Sequence, residues 1–230
     1  GKYIFEELKS FLIENNLISK NWNALNILTQ NASTVGLLDL KILSDKKGDD
    51  FSFFEKLANN KFKFLYLLGS DNLDFKKNNE FIVYQGSHGD RGAELADIVL
   101  PSATYTEQNG LYENLEGRIQ ECKKASYPIG EAIEDWKIFN RILKKIGAKE
   151  KITNFDQLRK DVLNTMPNLS QINELPKLSE HKNINVQTNF ISEEVLISKL
   201  DYYYTNSISR ASKVMGLSLI HISEPTRLGM

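Results

Sequence analysis

Ser87, His88 and Asp90 share one short stretch and supply the three side-chain types of a nucleophilic hydrolase site. A working triad draws its members from separate loops, so that the nucleophile faces the base and the base faces the acid. Near neighbours on one loop do not reach that geometry, and His88 and Asp90 read instead as residues that hydrogen-bond the loop backbone. His88, Cys122 and His181 are potential metal ligands, but no two of them share metal-ligand spacing. Asp97, Glu107, Glu113 and Glu116 are carboxylates placed near a loop edge. Paired carboxylates do acid–base work when their environments push their pKa values apart. Nothing in their spacing makes two converge, and Glu116 beside Arg118 reads as a structural pair. Arg91 and Arg118 have the chemistry to hold a phosphate bidentately. Without a glycine cradle or a lysine partner they read as buried or interface ion pairs. Tyr202, Tyr203 and Tyr204 resemble a stacking platform for single-stranded nucleic acid, but no basic residues surround them and they read as packing. No residue is assigned a catalytic, cofactor-binding or metal-binding role.

The elements that position these residues centre on 81–120. An apolar run at 81–84 leads into a loop punctuated by Gly86, Gly89 and Gly92. A short helix and a second apolar run, 96–100, follow, and Pro101 stops that run. Asn109-Gly110 and Glu116-Gly117 are turn signals, and the arms at Tyr112 and Arg118 predict a small hairpin set by Asn114 and Gly117. With 62–68 as the clearest buried strand, 81–84 and 98–100 predict parallel pairing through crossovers. Helices are predicted over 2–17, 22–35 with Gly36 as its stop, 51–59, 131–146 ended by Gly147, and 154–165 capped by Asn154. On 131–146, Ile133, Trp136, Phe139, Ile142, Leu143 and Ile146 supply the predicted buried face. Residues 37–40 read as a short extended piece and 44–50 as a solvated loop. Residues 168–189 form a polar, irregular excursion with one short helix near 170–175. Helical pieces at 192–200 and from Thr205 or Asn206 onward complete the pattern. The predicted fold is α/β: a mostly parallel sheet flanked by helices, with a small antiparallel hairpin and a helical C-terminal part. Residues 1–150 read as one α/β domain and 151–216 as a helical and irregular extension.

The 230 residues carry a net charge of -1, which gives no field to draw nucleic acid or an anionic membrane. No apolar run approaches the roughly 20 residues that span a bilayer. With one cysteine, Cys122, there is neither an internal disulfide nor a thiolate set for an iron–sulfur cluster. Neither G-x-G-x-x-G nor G-x-x-x-x-G-K-[ST] occurs, so neither common phosphate cradle is encoded. The start at Gly1 reads as a piece cut from a longer chain. The string LSLIHISEPTR at 217–227 reads as a translated sequencing adaptor, and 217–230 are set aside.

Three ordered motifs carry a family resemblance: Gln85-Gly86-x-His88-Gly89-Asp90, then Ala96-Asp97-Ile98-Val99-Leu100-Pro101, then Tyr112-x-Asn114-x-Glu116-Gly117-Arg118-x-Gln120. Glu134-Asp135-Trp136-Lys137 and the tail segment DYYYTNSISRASKVM extend it over about residues 1 to 216. The chain resembles the C-terminal region of the large iron–sulfur subunits of NADH-quinone oxidoreductases, respiratory complex I. The resemblance implies a molybdopterin-oxidoreductase-like domain that has kept the fold and lost the molybdenum. It also implies iron–sulfur clusters held upstream of this segment and none within it. Other peripheral-arm subunits would be its partners, with no nucleic acid and no direct membrane insertion. Its place would be the cytoplasmic face of a bacterial inner membrane, or the matrix side in mitochondria. In such domains a Gly-x-Asn-Pro type of loop helps grip the pterin cofactor. The matching loop here is Gly69-Ser70-Asp71-Asn72, which lacks the Asn-Pro pair and sets a negative charge near a pyrophosphate. The implied role is a non-catalytic scaffold. The alternatives are a cofactor-binding fragment of a molybdopterin-dependent oxidoreductase and a free-standing nucleotide-binding α/β protein.

Overall fold

The computed structural model describes residues 2–19, 22–29, 31–42, 56–71, 73, 75–149, 152–165, 172–176 and 203–217. In chain order the elements are α1 (Lys2–Glu14), α2 (Thr34–Asp39), β1 (Phe64–Leu68), β2 (Phe81–Gly86), α3 (Arg91–Leu95), β3 (Ile98–Pro101), β4 (Gly110–Glu113), β5 (Ile119–Cys122), α4 (Asp135–Lys145), α5 (Phe155–Thr165) and α6 (Ser207–Ala211). The predicted α/β class holds. β1, β2 and β3 form a parallel sheet in that order, and β4 pairs with β5 antiparallel.

The central strand β2 is buried from Ile82 to Gln85, as expected of a parallel strand covered on both faces. On one face Leu65, Leu67, Ile82 and Tyr84 pack with Leu57 and Phe75. Each of these side chains contributes on the order of 2 kcal/mol by leaving water. On the other face Tyr66 stacks on Phe139 of α4, with centroids 5.6 Å apart, and Ile138 is buried. Phe64 and Phe81 stack on each other at 6.3 Å yet remain 55% and 45% exposed, so this face is only partly covered.

Asp97 starts β3. Its carboxylate accepts from the Ile82 N–H at 2.8 Å, and its own N–H donates to the Ile82 carbonyl. Pro101 is the last residue of β3, opposite Gly86. The hairpin has the predicted cause: Asn114 Oδ1 accepts from the Glu116 and Arg118 N–H groups, and Gly117 takes a φ of +79°. Asn154 caps α5 through Gln157 N–H at 2.9 Å, and Asn206 caps α6 through Ser209 N–H at 2.9 Å.

Several expectations are corrected. Residues 22–29 are not helical. Asn23 Oδ1 accepts from Leu25 N–H, and Asn23 bridges Ile18, so local polar contacts win over the helix. Trp22 and Leu28, expected on its buried side, are 62% and 74% exposed. Gly36 lies inside α2 rather than ending a helix, and 37–39 are helical, not extended. α4 begins at Asp135, because Ile133 is claimed by a parallel bridge to Ser102 that prolongs β3. Phe139 on α4 and Ile146 just past its end are exposed, while Ile138 and Asn140 are buried. Residues 172–174 form a turn, with Asn173 N–H donated to the Ile119 carbonyl at 2.8 Å. The final helix breaks at Ser212. The readings on 44–50, 51–55, 168–171, 177–189, 192–200 and 218–230 lie outside the described residues.

Candidate functional site

Because the three strands of the sheet are parallel, their C-terminal ends share one edge. The loops that leave them, 69–71, 87–90 and 102–108, define a crevice of the kind where open α/β sheets bind ligands. Gly92 N–H donates to the Asp71 carbonyl at 3.0 Å, Gly69 N–H to the Gln85 carbonyl, and Ser102 N–H to the Gly86 carbonyl. These bonds fasten the loops to one another before any side chain acts.

Two polar clusters occupy this edge. In the first, Arg210 of α6 reaches between two carboxylates. Its Nε donates to Asp90 Oδ2 at 2.6 Å and its Nη1 to the Tyr204 carbonyl at 2.7 Å. Its Nη2 lies 2.5 Å from Asp71 Oδ1, an ion contact without hydrogen-bond alignment. The Arg210 bond holds the Asp90 carboxyl below its usual range, with help from Arg91 N–H. Burial, and then the charges of Asp71 and Asp90, push the Tyr84 phenol up to about 12. Tyr84 is therefore a donor at neutral pH, and its hydroxyl donates to the His88 carbonyl at 2.9 Å.

In the second cluster, Asp135 Oδ1 accepts from Gln85 Nε2 at 2.6 Å and Oδ2 from Gln108 Nε2 at 2.8 Å. Gln108 Oε1 accepts from Asp135 N–H at 3.1 Å, and Tyr66 donates its hydroxyl to Gln85 Oε1. Gln85 is fully buried. Burial raises the Tyr66 pKa, with a further push from the Asp135 charge. Between the clusters lies a cleft of about 300 Å³, lined in part by Asp71, Gln85, Thr104 and Asp135.

Among the described residues, those singled out from the sequence are not brought together in one place. Ser87 Oγ lies 3.0 Å from His88 Nδ1, but Asp90 turns away to Arg210 and to the N–H of Arg91. Asp90 thus fixes loop backbone as expected, whereas His88 contributes its carbonyl rather than its ring. Cys122 Sγ faces the Tyr105 carbonyl at 3.8 Å, and His181 lies outside the described residues. Among the described residues no three histidine, cysteine or acidic side chains cluster as metal ligands do. Asp97 pairs with Lys77 at 2.6 Å and Glu107 accepts from Thr104 N–H. Glu116 takes the Asn114 side chain at 3.4 Å, and no Glu116–Arg118 ion pair forms among the described residues. Arg91 pairs with Glu94 on the surface at 3.3 Å, not in a buried site, and Arg118 Nε is buried without a hydrogen-bond partner. Tyr204 supplies a carbonyl to Arg210 and Tyr203 is 47% exposed. Tyr202 lies outside the described residues.

Sequence reasoning missed Arg210, Gln85, Gln108 and Asp135 as site residues. Three of them appeared only as parts of longer matching segments: Gln85 opens the first motif, Asp135 sits in the Glu134–Lys137 match, and Arg210 sits in the tail match, while Gln108 lies between the motifs.

Glu113 is the one candidate carboxylate with a marked shift. Burial, and then the charge of Asp39 on α2, raise it to about 7. Its Oε2 is buried without a hydrogen-bond partner. The folded pKa stands above the unfolded value, so folding favours the protonated acid. That contribution is complete below about pH 4.5 and is lost as pH rises to about 7. Glu113→Gln is expected to raise stability at pH 8 by about 1 kcal/mol and to leave it unchanged at pH 4.5. Urea unfolding at the two pH values checks this.

The donor set of the crevice does not fit an anionic pterin–nucleotide group. Two carboxylates stand at the strand ends, and the nearest guanidinium is committed to both of them. The Gly69–Asp71 turn is followed by Asn72 and Leu73 rather than by an Asn-Pro pair.

Residues 1–145 match the family model for molybdopterin oxidoreductase. The chain is 37% identical over 225 residues to the NADH-ubiquinone oxidoreductase 75 kDa subunit of Reclinomonas americana, covering 94% of this chain and 31% of that protein. It is 36% identical over 221 residues to an NADH-quinone oxidoreductase subunit of Rickettsia bellii, covering 94% and 30%. Against the NADH-ubiquinone oxidoreductase 78 kDa subunit of Neurospora crassa it is 36% identical over 225 residues, covering 94% and 28%. The chain thus spans about a third or less of the length of the relatives it matches. A sheet whose strand ends carry the loops of a ligand-binding α/β layer, and a family match over well more than half the chain, lead to one conclusion: this chain belongs to the molybdopterin oxidoreductase family and is homologous, over nearly all of its length, to large subunits of NADH-quinone oxidoreductases.

Proposed function

We propose that this segment is a non-catalytic scaffold of an NADH-quinone oxidoreductase, part of the peripheral arm. There it braces the cluster-bearing portion of its own subunit and contacts neighbouring complex I subunits. The observation that carries the reading is the Arg210 guanidinium seated between Asp71 and Asp90, where a related oxidoreductase would receive its cofactor. Homology to complex I subunits supports the assembly. Among the described residues no helix is long and apolar enough to cross a membrane. A peripheral position on the cytoplasmic or matrix side is part of the same proposal. The chain binds no pterin and holds no cluster of its own.

The family match favours one second reading, a pterin-binding part of a molybdopterin-dependent oxidoreductase. A tagged full-length subunit carrying this segment separates the two. The scaffold reading expects other complex I subunits to co-purify and no pterin fluorescence in the oxidised extract. Stoichiometric pterin would overturn it in favour of the second reading, and isolation of the subunit alone from its native membrane would remove the assembly role.

A further inference from the structure

We propose that α6 is a strap that closes the strand-end crevice from within, and that the Arg210 guanidinium is the group the crevice recognises. The two receiving carboxylates come from different loops: Asp71 follows β1 and Asp90 follows β2. The Gly92 N–H to Asp71 carbonyl bond, at 3.0 Å, holds those loops together, so the carboxylates are presented as a preset pair. A planar guanidinium serves both at once, here donating Nε–H to Asp90 and setting Nη2 in ion contact with Asp71. An ammonium is a single point charge and serves such a pair poorly. The Asp71 side chain is only 10% exposed, and a buried carboxylate deprived of its cation is costly. Crevice and strap therefore depend on each other.

α6 is five residues long and buries none of them. Open space of about 340 Å³ lies beside Arg210 next to Gly89, and the cleft of about 300 Å³ lies on the strand side. Among the described residues the strap's main fastening is that one charged side chain, with Ile208 half-buried at the cleft. A segment held in this way opens locally while the core stays closed. The inference does not depend on membership of any assembly.

Amide hydrogen exchange on the full chain tests it. In Arg210→Ala, amides of 69–71, 88–92 and 204–211 are expected to exchange about tenfold faster, while β2 stays protected. Methylguanidinium below denaturing concentrations should restore slow exchange at 69–71 and 88–92 but not at 204–211. Methylammonium should restore neither, and the D71N/D90N/R210A chain should gain nothing from methylguanidinium. Arg210→Lys, which keeps the charge, covers the case in which the alanine variant does not fold, and it should show several-fold acceleration with the same rescue. Wild-type exchange in both variants, equal rescue by methylammonium, or rescue without the two aspartates would overturn the strap.

Discussion

Replacing Asp135 by alanine is expected to lower the unfolding free energy by about 3 kcal/mol. The carboxylate accepts from Gln85 and from Gln108, and it sits in the first turn of α4, where a negative charge complements the helix N-terminus. Losing it strips a partner from the Gln85 amide, which water does not reach. An unpaired amide at that depth carries its full desolvation cost. Gln85 is also gripped by Tyr66, so the damage passes to the aromatic contact between β1 and α4. Urea unfolding gives the magnitude. A double-mutant cycle with Gln85→Leu gives the cause, because the double variant should lose clearly less than the sum of the singles. Simple additivity would mean that the two residues do not share a network.

Gly92→Val is expected to cost about 3 kcal/mol by steric overlap, with Gly92→Ala at a smaller loss. A Cβ at this position would stand 2.6 Å from the Ser70 carbonyl oxygen and 3.0 Å from the Tyr84 ring. The oxygen belongs to the backbone of the 69–71 turn and cannot swing aside as a flexible side chain would. Relief requires the two loops to part, which breaks the Gly92–Asp71 bond and spreads the carboxylates that hold Arg210. Thermal or urea unfolding measures the loss. Faster exchange of amides 204–211 in the alanine variant would show that the spread reaches α6.

The sheet was legible in the sequence because its information is local. Phe64–Leu68, Phe81–Gly86 and Ile98–Pro101 are short apolar runs bounded by glycine, proline or polar residues, and the three lie side by side in parallel register. The hairpin was legible for the same reason, since Asn114 organises a turn through bonds to residues two and four positions away. Helix limits were less so. A helical period over 22–35 gave way to an asparagine that bonds its own neighbourhood. The start of α4 was displaced by a bridge from Ile133 to Ser102, which only the folded sheet supplies. The crevice was the least legible part. Asp71, Asp90 and Arg210 are ordinary charged residues in one dimension, and their meeting is a property of the three-dimensional edge. The Ser87, His88 and Asp90 grouping looked chemical because its members are close in sequence, yet Asp90 spends its carboxylate on Arg210 and on loop backbone.

Asp90 and Arg210 are separated by 120 positions, which gives the chain a schedule. A ribosome delivers the sheet and its paired acids well before it delivers their counterion, since synthesis adds about 5–20 residues each second. For several seconds the nascent chain holds two unneutralised acids at the mouth of a nearly finished layer. Such a distant contact also closes late in refolding, after the local ones are made. The mouth of this layer is thus the final part to set, and any early guest must leave before the tail arrives.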